Sequence, residues 1–85
     1  MSDSRNAFDF VKYILEQVCE DKAAIHVEQI TDEMGVLISV SVAESDMGKL
    51  IGKQGQTIGA LRTLVRIIGA RENERINLKV LEPNA

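Results

Sequence analysis

Apolar residues at Phe8, Val11, Leu15 and Val18, with Ile14 and Cys19 widening the stripe, recur every three or four positions. That period predicts an amphipathic helix over Ala7 to Glu20, with Asp9 in its first turn, where a carboxylate suits the positive end of the helix dipole. The pattern then changes. Ala24 to Ile30 is rich in β-branched residues but alternates imperfectly, whereas Val36, Ile38, Val40 and Val42 alternate cleanly with Ser39 and Ser41. Both segments read as strands. The polar stretch Thr31 to Gly35 between them is short enough for a hairpin, with Gly35 free to take positive φ, so the pair is expected to be antiparallel.

Beyond the hairpin, Ser45 is placed to cap a short helix starting near Asp46, whose Leu50 and Ile51 pack on the sheet before Gly52 interrupts. A further helix runs from after Gly55 to Gly69, with Ile58, Leu61, Val65 and Ile68 as its buried stripe and Gly69 as its expected stop. Arg62 and Arg66 are four apart on it and therefore share a face. Ile76, Leu78 and Val80 alternate with Asn77 and Lys79 in a last strand, and Pro83 lies outside it. The order α-β-β-α-α-β predicts an α+β domain of two layers: a three-stranded sheet covered on one face by helices, its other face left to solvent or a partner. Phe8, Phe10 and Tyr13 all fall in the first helix, so the strands carry no aromatic platform of the kind that stacks bases.

Composition narrows the class. At 85 residues, 45% hydrophobic and with one proline, the chain has room for one domain, residues 1–85, and is too apolar to stay disordered. A single cysteine, Cys19, cannot form an internal disulfide and is expected in the core. Charges interrupt every hydrophobic run, so neither a signal segment nor a membrane span is expected, and the expected location is cytoplasmic. The net charge of -3 hides an uneven distribution. From Met47 to Arg71 the residues Lys49, Lys53, Arg62, Arg66 and Arg71 give +5 with no acidic residue, while the rest of the chain carries -8. A segment free of carboxylates is what a phosphate-facing surface needs.

Within that segment, Gly48-Lys49-Leu50-Ile51-Gly52-Lys53-Gln54-Gly55-Gln56-Thr57-Ile58-Gly59 holds four glycines in twelve residues. Gly52 and Gly55 bracket a two-residue turn where unusual backbone angles and close approach of a phosphate chain are both possible. Lys53 adds charge, and the start of the next helix adds free N–H groups. The glycines could equally serve turn geometry alone. Neither the spacing of a dinucleotide fingerprint nor that of a nucleoside-triphosphate loop is present.

The Ile51-Gly52-Lys53-Gln54-Gly55 core between two helices resembles a KH domain, and the extra helix and strand ahead of it resemble the type II arrangement. With Gly48-Lys49 upstream and Gln56 to Arg62 downstream, the chain is similar to the small single-domain bacterial KH proteins of the KhpA family over about residues 8–81. The resemblance implies a loop that clamps about four nucleotides of single-stranded RNA. It places Gly52, Lys53, Gln54 and Gly55 on the sugar-phosphate backbone with Lys49 at the edge, and Arg62 and Arg66 as supporting charge. Ile51 and Ile58 would floor the base groove, with Val40 on its opposite side. Family members commonly carry two basic residues between the glycines; here the second is the neutral Gln54, which can still hydrogen-bond a phosphate oxygen. The resemblance further implies an RNA chaperone or regulator acting as a homodimer or with KhpB, a larger KH-containing protein, and a link to control of cell elongation and division.

No cofactor, metal or small-molecule substrate is expected. His26 stands alone as a histidine, and no nucleophile, base and carboxylate can be placed together, so an enzyme is disfavoured. The pairs Glu20-Asp21 and Asp32-Glu33 read as solvated charges. Two other classes remain open: a protein-binding adaptor that uses the acidic remainder and the sheet face, and a DNA-binding protein, either single-stranded or of helix-turn-helix type. The latter lacks a dense basic face on its second helix.

Overall fold

The computed structural model describes residues 5–52 and 55–81, and Lys53 and Gln54 lie outside the described residues. Its elements follow the expected order: α1 (Arg5–Val18), β1 (His26–Asp32), β2 (Gly35–Ser41), α2 (Glu44–Ile51), α3 (Gln56–Arg71) and β3 (Ile76–Val80). A short 3-10 turn over Lys22–Ala24 precedes β1.

β1 and β2 pair antiparallel from His26 opposite Ser41 to Asp32 opposite Gly35. The hairpin turn is therefore only Glu33 and Met34, and β1 runs two residues further than its composition suggested. Asp32 Oδ1 accepts the Met34 N–H at 2.7 Å, and Gly35 takes φ 130, which a side chain would strain. β3 joins the other edge of β2 in parallel, with Val36, Ile38 and Val40 opposite Ile76, Leu78 and Val80. A parallel neighbour needs a long crossover, and α2 and α3 supply it. The three helices cover the face that carries Val36, Ile38 and Val40, and this face packs with Val11, Leu15, Leu50, Leu61 and Val65 into one core. This is the type II KH arrangement. Cys19 is buried in that core, where burial first and the nearby Asp46 carboxylate second push its thiol pKa up.

Three local expectations are corrected by packing. Ser45 does not cap α2: the cap position is Ala43, whose carbonyl accepts the Asp46 N–H, and no side chain closes this end. Gly69 does not stop α3, which continues to Arg71. It is buried so tightly that a Cβ there would lie 2.6 Å from the Glu74 carbonyl and 2.9 Å from Ile76 Cγ1. The left-handed residue that reverses the chain is Asn73, at φ 58, a side chain that tolerates that region. Finally, α1 ends at Val18, although its apolar period runs on to Cys19. The next N–H groups, of Glu20 and Asp21, are taken by the Asp46 carboxylate of α2 at 3.0 and 3.1 Å.

Candidate nucleic-acid interface

The junction between α2 and α3 begins and ends on glycines in left-handed backbone. Gly52 has φ 51, with its N–H returned to the Gly48 carbonyl at 2.7 Å, and Gly55 has φ 68 at the N-terminal cap of α3. An L side chain at either position would be strained, so both glycines have a backbone reason. Gly48 and Gly59 have none. Each sits in a helix without positive φ, and among the described residues a Cβ on either would meet nothing within 4 Å. A helical glycine costs about 1 kcal/mol relative to alanine. Two such positions flanking one loop leave backbone bare that the protein's own packing does not use.

Around the junction, Ile51 at the end of α2 is 42% exposed and forms an apolar surface beside Gly52, whereas Ile58 on the first turns of α3 is almost covered. Val40, expected on the opposite side of the groove, is fully buried at 0% exposure beneath the helices. Arg62 and Arg66 do share a face, the one turned to β3. Arg62 Nε donates to the Leu78 carbonyl at 3.3 Å. Arg66 lines an open depression of about 610 Å³ together with Arg75, Asn77 and Glu74. Arg75 lies outside the basic run and beside Glu74 in sequence, so charge spacing does not single it out; the turn after α3 brings it to the same depression as Arg66.

Lys49 stands differently from the other cations. Its Nζ lies 3.0 Å from Glu20 Oε2 and 3.8 Å from Asp46 Oδ1. The hydrogen bond to Glu20 leads the effects that raise its pKa. Asp46, 1% exposed, has its pKa lowered first by the Glu20 N–H, then by the Asp21 N–H, with Lys49 adding less. Glu20 is thus one arm of an exposed ion pair, a partner that residue spacing could not supply. Among the described residues no group of three or more His, Cys, Asp or Glu could hold a metal ion, and no helix is long and apolar enough to cross a membrane.

The helix-helix junction beside a three-stranded sheet with mixed pairing defines the chain as a KH domain of type II. Residues 8–80 match the family described as KhpA/KhpB, KH domain, and the chain belongs to that family. Similar proteins include the RNA-binding protein KhpA of Chlamydia caviae, 32% identical over 74 residues, covering 87% of this chain and 95% of that protein. The RNA-binding protein KhpA of Caldanaerobacter subterraneus is 34% identical over 73 residues, 86% and 97% of the two chains. That of Clostridium acetobutylicum is 32% identical over 77 residues, 84% and 100% of the two.

Proposed function

We propose that this chain is a single KH domain that binds single-stranded RNA without catalysis and works as an RNA chaperone or post-transcriptional regulator. Relatives named for RNA binding that match almost end to end support this reading. The observation that carries it is the pairing of left-handed Gly52 and Gly55 with unexplained bare backbone at Gly48 and Gly59. A sugar-phosphate chain can approach such a surface more closely than any side chain would allow. Lys53 and Gln54 hold phosphates between the glycines, Arg62 and Arg66 add attraction along α3, and Ile51 offers an apolar contact to a base above the buried Ile58.

One such footprint is small. Contact with about four phosphates gives a weak, salt-sensitive complex, so useful affinity comes from pairing two modules. The partner is a second copy or the larger KH-containing protein KhpB. Leu64 and Ile67, three apart on α3 and both exposed, are apolar surface that such a partner would cover.

The test is a titration of the wild type and of Lys53→Asp/Gln54→Asp against short single-stranded RNA, matching single-stranded DNA and duplex RNA at two salt concentrations. The wild type is expected to prefer single strands, with log K falling against log salt at a slope of about -3, roughly 0.7 per neutralised phosphate. The double variant is expected to lose at least about tenfold in affinity, or roughly 1.4 kcal/mol. Equal binding by both proteins, or no preference for single strands, would remove the RNA reading and leave a protein-binding adaptor.

A further inference from the structure

Folding brings two carboxylates to Lys49, and they differ in their freedom to leave. Asp46 is held: it is buried, and its two oxygens accept the Glu20 and Asp21 N–H groups at 3.0 and 3.1 Å. Its charge stays beside Lys49 in every state that keeps the fold. Among the described residues the Glu20 side chain is held through its ion pair with Lys49, at 3.0 Å, and it is 86% exposed. Its backbone N–H, bonded to Asp46, fixes where the side chain starts but not where it points.

From this asymmetry we infer that Glu20 is a gate on the nucleic-acid surface, occupying Lys49 until an RNA phosphate replaces it. The inference rests on the RNA-binding reading above. With both carboxylates in place the cluster carries a net negative charge, so Lys49 exerts no net pull on an approaching phosphate. An ammonium group has three donors and can serve two anions at once. A phosphate can therefore take the position of Glu20 while Asp46 remains, an exchange of one anion for another. The cost of opening is low, since an exposed ion pair contributes about 0–1 kcal/mol. The location also fits: Lys49 is 43% exposed, directly follows Gly48 with its bare backbone, and lies one helical turn before Gly52. A strand reaching the loop from the α2 side meets Lys49 next. Glu20 thereby sets how strongly the domain holds RNA, without itself contacting it.

The experiment is a double-mutant cycle read by fluorescence anisotropy with labelled single-stranded oligo(U), on Glu20→Gln, Lys49→Gln and the double variant, with Lys53→Asp/Gln54→Asp as control. Glu20→Gln keeps the backbone N–H to Asp46. It is expected to bind RNA about three- to fivefold more tightly at low salt, with the gain shrinking as salt rises. In the Lys49→Gln background the same substitution is expected to change affinity by less than about 1.5-fold, because the coupling runs through Lys49. An unchanged affinity for Glu20→Gln, or an equal gain with and without Lys49, overturns the gate. If Lys49→Gln does not fold, the wild-type Glu20 side-chain carboxyl resonance decides by NMR: it shifts on adding RNA if Glu20 is displaced and stays if it is not. Loss of binding in the loop control together with an inert Glu20 leaves the RNA reading standing and the gate refuted. A loop control that binds as well as wild type removes both.

Discussion

Glycines around the α2–α3 junction and at the end of α3 differ in what makes each one necessary. Gly69 is required by contact with the chain that returns into β3, so Gly69→Ala is expected to destabilise the fold by about 1–3 kcal/mol, as overpacking does. Gly48 has open space around it, and alanine there removes only backbone freedom. Gly48→Ala is therefore expected to stabilise the protein by about 0.5–1 kcal/mol while weakening RNA binding severalfold, since the new methyl stands where the strand approaches. Denaturant unfolding and the RNA titration measure the two effects separately. A stabilised variant with unaltered RNA affinity would show that the bare backbone at Gly48 is not a contact.

At the level of elements, α1 and α2 are joined by Asp46 more than by apolar surface alone. One carboxylate closes the end of α1, starts the path toward β1, and fixes the first turn of the helix that carries Gly48, Lys49 and Ile51 toward the loop. Its pKa is lowered in the folded protein, first by the two backbone N–H donors. A lowered folded value means that the folded state favours the ionised form. The resulting stability is present above the unfolded carboxylate value of about 3.9 and is lost as pH falls through the lower folded value. Asp46→Asn is therefore expected to lower Tm near neutral pH and to flatten the acid limb of the Tm curve below about pH 4. A thermal melt series in acid, wild type against variant, checks this. If the two acid limbs run parallel, Asp46 is not the group that makes the junction acid-sensitive.

On the scale of the whole molecule, charge and exposed apolar surface determine behaviour in solution. The α3 side of the sheet edge presents Arg62, Arg66 and Arg75, while the α2 side presents a Lys49 already matched by carboxylates. Attraction of a polyanion along α2 is therefore weaker than the bare run of basic residues suggests, whereas along α3 the added Arg75 comes with Glu74 in the same depression. Leu64 and Ile67 on α3 are also exposed. If the proposed pairing uses this surface, Ile67→Lys shifts sedimentation of the purified chain toward monomer and lowers its apparent RNA affinity through lost avidity. A wild type that sediments as a monomer at all concentrations would leave the homodimer unsupported, and mixing with KhpB would then be the relevant measurement.

Much of the architecture is legible in the chain because periodicity is a local property. The two-residue alternation around Val36 to Val42 and the three-to-four spacing of α1 and α3 each report one buried face, and the order of elements then leaves few ways to layer them. The place of the loop is legible for the same reason, since Gly52 and Gly55 sit between two such patterns. What folding alone decided are the meetings of residues far apart in sequence. Glu20 reaches Lys49, Asp46 collects the N–H groups of Glu20 and Asp21, Gly69 touches the return toward Ile76, and Val40 disappears beneath the helices. Charge counted along a chain assumes that neighbours in sequence are neighbours in space. Packing adds to that list of neighbours, and so the first lysine of a stretch without a single acidic residue acquires Glu20 from just beyond the end of α1 beside its own helix neighbour Asp46.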